Sequence, residues 1–200
     1  MEDFTLSLAL TDFIPVVLFG ICALLLARDL KNKMGKGVFA CLIFGAAMGF
    51  LAGCLKALWK LLIALGAGNF PLLNSLFLPL QSSGLMLTGL SIVLMLALRK
   101  KSAALMAPLT IGFIGMMVLG LGAMCTGLSI LTAKLKKKLL IPVFILCFFC
   151  YMGMGYLASR GAETAASNWT EQGVNTLGQI LLLCGTLGLH KAGLKDYQLK

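Results

Sequence analysis

Four charged side chains lie within or beside long apolar segments, where an ionised group is energetically costly. Asp12 lies near the start of the first apolar segment, and Lys56 and Lys60 lie near the end of the second. Glu171 lies just before the last segment. Ionisable groups at membrane depth usually face a partner of opposite charge or a water-filled cavity. This set predicts a site for a small anionic or zwitterionic solute, in which the lysines receive a negative group and Asp12 or Glu171 a positive one.

Amide side chains recur near these charges on single helical faces. Residues three, four or seven apart share one face of an α-helix. Asn175 and Gln179 follow Glu171 at successive steps of four, and Gln81 lies in the third apolar segment. The sequence therefore predicts one polar pocket, open to the outside of the membrane, that is formed by Asp12, Lys56, Lys60, Gln81, Glu171, Asn175 and Gln179.

These residues also have structural interpretations, which the sequence leaves open. Asp12 is suited to cap a helix that has Pro15 in its first turn. Lysines near helix ends commonly extend to lipid head groups, and we expect this more of Lys60 than of Lys56. Asn and Gln in a membrane helix often only hydrogen-bond a neighbouring helix, which contributes about 0.6 kcal/mol. A binding pocket and structural polar packing are therefore both compatible with the pattern.

The composition places these residues in a membrane protein rather than a soluble domain. The chain is 60% hydrophobic and 12% charged, whereas ordinary globular chains are about 45–50% apolar and about 25% charged. Several apolar runs reach the roughly 20 residues that a helix needs to cross a bilayer. Strands are not indicated, because period-2 alternation is missing and backbone groups in lipid must be paired within the segment. We predict an all-α integral membrane protein with one transmembrane helical domain over residues 1–200.

The predicted bundle has about six apolar helical segments, at 6–27, 38–65, 72–98, 103–131, 139–158 and 173–190. Acidic residues before the first segment and basic residues after it place the N-terminus outside. Six full crossings would distribute the basic connectors evenly between the two sides, against the usual cytoplasmic excess. We therefore favour a re-entrant hairpin at 103–131 that reverses at its central Gly-Leu-Gly, with one kinked helix as the alternative.

A run of small residues predicts close helix packing beside the two lysines. Gly45, Gly49 and Gly53 have the GxxxGxxxG spacing that lets another helix approach closely. This arrangement places Lys56 and Lys60 on a packed face rather than against lipid. The loops after the first and third segments are both basic, but the halves show no clear repeat and no inverted-repeat architecture.

Other chemistries are not favoured. The net charge of +10 comes from short lysine bursts between apolar runs, a pattern typical of cytoplasmic loops rather than of nucleic-acid binding. Cys147 and Cys150 have metal-ligand spacing, but they lie mid-helix without further ligands, so we expect no metal and no cofactor. A lipid-modifying enzyme with Glu171 as a base is the least favoured class, and we predict that the chain is not an enzyme.

The predicted function is that of a small multi-pass transporter, or the substrate-binding membrane subunit of a larger one. The glycine-rich segment 103–131 would be its moving part. The alternative is a non-catalytic interaction or assembly protein, a scaffold or sensor that binds other helices through its glycine faces. Expected partners are the lipid bilayer, a small polar solute, and either other membrane subunits or further copies of the chain. The expected location is the bacterial cytoplasmic (inner) membrane.

Overall fold

The computed structural model describes residues 5–98, 112–159 and 165–198, and all regular structure in these ranges is helical. The helices are α1 (Leu6–Thr11), α2 (Phe13–Leu30), α3 (Lys36–Ala64), α4 (Pro71–Ser75), α5 (Phe77–Leu98), α6 (Phe113–Lys134), α7 (Ile141–Ser159) and α8 (Ala165–Lys191). A single 3₁₀ turn, Lys138–Leu140, leads into α7. The basic connector 99–101 and the first part of the predicted segment 103–131 lie outside the described residues.

Five stretches in the described ranges are long and apolar enough to cross a membrane. They are Leu6–Leu30, Lys36–Ala64, Pro71–Ala97, Phe113–Lys134 and Lys138–Leu157. α8 is equally long, but the amides and Glu171 in its first half make it more polar. Large apolar side chains such as Leu24 and Phe149 are exposed on the outside of the bundle, as expected for helices in contact with lipid. The prediction of an all-α protein is confirmed for the described residues, and the apolar helices support a membrane protein.

Two helix breaks have the same cause, a proline three residues after the break. Proline has no N–H, and its ring clashes with the carbonyl group four residues earlier. For Pro15 that carbonyl belongs to Thr11, the last residue of α1, and for Pro79 it belongs to Ser75, the last residue of α4. Asp12 is the residue between α1 and α2. The first proline therefore places this carboxylate at an interruption of the helix.

The six long helices form a closed ring in the order α2, α3, α5, α6, α7 and α8. Each packs against the next, and α8 returns to α2. The centre of the ring is filled by apolar side chains from several helices, with Leu26, Leu128, Phe144 and Leu182 among the fully or almost fully buried ones. The first half of α8 carries Glu171 and amide side chains, and its last turn carries His190. The two ends of the ring therefore carry different polar groups.

α5 and α6 are neighbours in the ring and run in the same direction. Gly120 packs against the backbone of Met86, and Gly127, two turns further along α6, packs against Ile92, further along α5. A Cβ atom at Gly127 would lie 2.5 Å from the Ile92 side chain, and one at Gly120 would collide with the backbone of Leu85 and Met86. These glycines therefore permit two helices to pack closely.

The predicted reversal at Gly120–Gly122 is wrong, because α6 is continuous from Phe113 to Lys134. Glycines inside a continuous helix keep ordinary helical dihedral angles, so the wider conformational range that glycine offers a tight turn is not used here. The part of the hairpin prediction that concerned 103–111 lies outside the described residues. Leu98 and Phe113 lie at opposite ends of the bundle.

The hairpin was predicted because it would place the basic connectors on one side of the membrane. The parallel α5–α6 pair gives the same one-sided distribution of lysines without a hairpin. α2, α6 and α8 all end at the same end of the ring, together with their lysines. Lys33, after α2, donates to the backbone carbonyl of Lys195, after α8, at 3.0 Å, and also to that of Tyr197. We call this the basic end, defined by Lys33, Lys134–Lys138 and Lys195, and the other the cavity end.

The ring consists of two three-helix units with the same order of directions. The first unit is α2, α3 and α5, and the second is α6, α7 and α8. The two units meet at two seams of parallel helices, α5 against α6 and α8 against α2. The units even begin with the same dipeptide, Phe13-Ile14 and Phe113-Ile114. The two units therefore share their order of helix directions, a similarity that the sequence analysis did not find.

Candidate solute-binding cavity

A cavity of about 510 Å³ lies at the cavity end, and all six long helices contribute to its wall. Its volume falls in the range of about 300–1,000 Å³ that is usual for small-molecule sites. The structure brings all the residues of the predicted pocket to this one wall: Asp12, Lys56, Lys60, Gln81, Glu171, Asn175 and Gln179. That these seven residues line one cavity is observed. That they bind a solute stays a prediction.

Asp12 and Lys60 form a buried ion pair in the wall. Oδ2 of Asp12 lies 2.7 Å from Nζ of Lys60, and both residues are only 7% exposed. Asp12 does occupy the position before α2, but its side chain makes no capping hydrogen bond. The capping interpretation is therefore wrong, and the carboxylate instead pairs with Lys60 on the neighbouring helix α3.

Lys56 lies one turn before Lys60 and has a different environment. It is half-buried, and its ammonium lies 4.3 Å from the centroid of the Phe77 ring, within the distance of a cation–π contact. We expected Lys60 to extend towards head groups more than Lys56, and this is wrong. Lys60 is the more buried of the two because Asp12 provides an opposite charge inside the wall.

α8 presents a polar face to the cavity along two turns. Glu171 and Asn175 are half-buried, and Gln179 is buried. Among the described residues, no ion pair joins Glu171 to Lys56 or Lys60. The cavity thus carries two ammonium groups and two carboxylates, of which one pair, Asp12 with Lys60, is in direct contact.

Gln172 is a cavity residue that the sequence analysis missed. Its Nε2 donates to the carbonyl of Thr11 at 2.9 Å, and the residue is 7% exposed. This is the carbonyl that Pro15 deprives of its helical donor, so an amide from α8 replaces the missing N–H. The proline was the available signal, because it predicts one unpaired carbonyl at membrane depth that another helix must satisfy.

Aromatic side chains form much of the remaining wall and were also missed. They come from four helices and are Phe19, Phe50, Phe77, Tyr151 and Tyr156. In the sequence these residues look like ordinary members of apolar segments, and only their position in the ring distinguishes them from aromatic residues that face lipid. Together with the charges, they give the cavity both a polar and an apolar wall.

Glycine packing between α3 and α5 positions two sides of the cavity. A Cβ atom at Gly45 would lie 2.7 Å from the carbonyl oxygen of Gly84, and one at Gly84 would lie 2.7 Å from that of Gly45. The two backbones therefore touch, as the GxxxGxxxG spacing predicts. This contact joins the two helices that contribute Lys56 and Gln81 to the wall.

A second polar cluster closes the α2–α8 seam at the basic end. Asp29 is 2% exposed, and its Oδ2 lies 2.9 Å from Nδ1 of His190. A guanidinium nitrogen of Arg28 lies 2.8 Å from Nε2 of the same imidazole. Because arginine can only donate, Nε2 accepts from Arg28 and Nδ1–H donates to Asp29. This neutral imidazole joins the two helices at the end opposite the cavity.

Within the described residues, no group of three or more His, Cys, Asp or Glu side chains could hold a metal ion. The chain matches no protein-family model, no curated protein and no solved structure.

Proposed function

We propose that the chain is a small multi-pass membrane transporter, or the substrate-binding membrane subunit of a larger one, for a small zwitterionic or anionic solute. The observation that supports this most is the convergence of both signs of charge on one cavity inside the helix ring. Structural polar packing accounts for single contacts such as that of Asp12 with Lys60, but polar groups from several helices also surround a common space. In this setting Lys56 attracts a negative group, and Gln81 and Asn175 orient the solute by hydrogen bonds.

The architecture suggests how the solute could pass. The α5–α6 seam is packed backbone to backbone through Gly120. The α2–α8 seam is held by side chains, Gln172 with Thr11 at the cavity end and Asp29 with His190 at the basic end. We propose that the two three-helix units separate at this second seam to open the basic end, as packed bundles do in alternating access. This replaces the idea that 103–131 itself moves.

The alternative of an interaction protein is less well supported. It relied on glycine faces that another protein could approach, but the glycines of α3 pack within the chain. Gly45 packs against α5, Gly49 against Phe19, and Gly53 against Val16. The proposal assigns no catalytic step to the chain.

The proposed orientation places the basic end in the cytoplasm and the cavity outside, because lysine-rich connectors mark the cytoplasmic side. The proposed location is the bacterial cytoplasmic membrane. A test uses Lys137→Cys in a background without the native cysteines. We expect that a membrane-impermeant maleimide added to intact cells does not label this residue, whereas it does after permeabilisation. Labelling in intact cells would reverse the proposed orientation.

Binding can be tested on the purified protein by thermal stabilisation with a panel of small zwitterions and carboxylates. We expect Lys56→Ala and Glu171→Gln each to abolish stabilisation by the solutes that protect the unmodified chain. Leu24→Ala is the matched control, because Leu24 is 73% exposed on the outside of α2 and does not line the cavity. If both cavity variants bind as the control does, the proposed function is wrong.

A further inference from the structure

Two buried oxygen atoms of the cavity residues have no hydrogen-bond donor among the described residues. They are Oδ1 of Asp12 and Oε1 of Gln179, on side chains that are 7% and 6% exposed. Both residues line the cavity. A buried acceptor without a donor is unfavourable, so a bound molecule that donates to either atom would satisfy an acceptor that the described residues leave unpaired.

The chemistry of these atoms restricts the group that can lie next to them. The Lys60 ammonium lies against Oδ2 of Asp12, and Oδ1 has no hydrogen-bond partner among the described residues. An ionised carboxylate has about four acceptor positions, so Oδ1 can still accept. An anionic group there would meet a negative oxygen and bring no proton. An ammonium group brings three donors and a positive charge, and therefore suits both Asp12 and Gln179.

The rest of the wall suits the remaining parts of a zwitterion. Lys56 supplies positive charge from α3, next to the ring of Phe77. Phe19, Phe50 and Tyr151 supply apolar surface. A molecule with an ammonium, a carboxylate and an apolar side chain would thus find a complementary group for each part.

We propose, on the basis of the function above, that the solute is an amino-acid-like zwitterion with an apolar side chain. Its ammonium lies towards Asp12 and Gln179, the two residues of the cavity wall that each have an unpaired buried acceptor. Its carboxylate lies towards Lys56, and its side chain packs against the aromatic wall.

The test compares matched probes by calorimetry on the full chain purified in detergent. One series is L-phenylalanine, 3-phenylpropanoate without the ammonium, and 2-phenylethylamine without the carboxylate. The other is L-leucine, 4-methylpentanoate and 3-methylbutylamine. We expect at least one zwitterion to bind about tenfold or more tightly than both of its analogues, because each analogue loses a charged hydrogen-bonding group.

Two variants locate the ammonium. Gln179→Leu should weaken zwitterion binding about tenfold. Thr88→Val is the control, because Oγ1 of Thr88 is also buried without a partner among the described residues but lies outside the cavity wall. It should leave the affinity unchanged.

The outcomes separate this inference from the proposed function. If either analogue binds as tightly as its zwitterion, or Gln179→Leu behaves as Thr88→Val does, the inference is overturned while solute binding stands. If none of the six probes binds, the inference is overturned. If, in addition, no zwitterion or carboxylate of the stabilisation panel protects the chain, the proposed function fails as well.

Discussion

The buried pair of Asp12 and Lys60 allows a quantitative test of the cavity wall. Lys60→Met keeps a side chain of similar length but removes the ammonium that lies 2.7 Å from the Asp12 carboxylate. The carboxylate is then left buried with neither oxygen paired to a described residue. Removing one partner of a buried ion pair typically costs about 3–5 kcal/mol.

We expect the lower end of that range for Lys60→Met, about 3 kcal/mol, because Asp12 lines a cavity rather than a close-packed core. Such a loss changes the folding equilibrium by somewhat more than a hundredfold. Adding Asp12→Asn removes the uncompensated charge and should recover most of the loss. A buried pair that is replaced on both sides by neutral groups can be close to neutral in stability.

The assay is reversible unfolding in mixed micelles, monitored by the fluorescence of the two tryptophans. The control is Lys56→Met, one turn away on the same helix, which should cost no more than about 1 kcal/mol because that lysine is half-buried over Phe77. If the double variant Asp12→Asn/Lys60→Met is as unstable as Lys60→Met alone, the two side chains are not coupled and the reasoning is refuted.

Two further predictions concern the helix contacts that shape the ring. Gln172→Leu should lower the free energy of unfolding by about 1–2 kcal/mol, because it leaves the carbonyl of Thr11 without a donor. The loss should be smaller in a Pro15→Ala background, where the backbone N–H can donate instead, and an equal loss in both backgrounds would contradict the assignment. Gly120→Ala should cost about 1–3 kcal/mol by forcing α5 and α6 apart. Its control is Gly122→Ala in the same helix, where the added Cβ would meet only Phe148 at 3.7 Å and should be tolerated in the same unfolding assay. Equal stability of the two glycine variants would show that the close α5–α6 contact is not formed.

The fold class could be predicted because it depends on local properties of the chain. Runs of apolar residues and the need to pair every backbone group in lipid were sufficient to predict helices at most of the observed positions. The direction of α6 could not be predicted in the same way. The glycines of a tight turn and those of a close helix contact look the same in a sequence, and only the contact of Gly120 with α5 distinguishes them.

The pocket residues could be proposed because charges and amides are rare in such segments and share helical faces. Their convergence on one cavity agrees with that hypothesis, although solute binding itself is untested. Pairing within the site was less predictable. Lys56 and Lys60 are equivalent by spacing, and only the position of Asp12 at the break before α2 determines which of them is buried. Gln172 was missed because its partner is a backbone carbonyl, which the sequence indicates only indirectly, through Pro15.

The sequence by itself determined that the chain forms apolar helices, which residues are out of place in lipid, and which of them share a face. These properties depend on composition and on the 3.6-residue period of a single helix. The tertiary structure decided the ring order, the parallel α5–α6 and α2–α8 seams, and the joining of Asp12 to Lys60 and of Asp29 to His190. Those features depend on which helices are neighbours and in which direction each runs, and no property of an isolated segment contains that information.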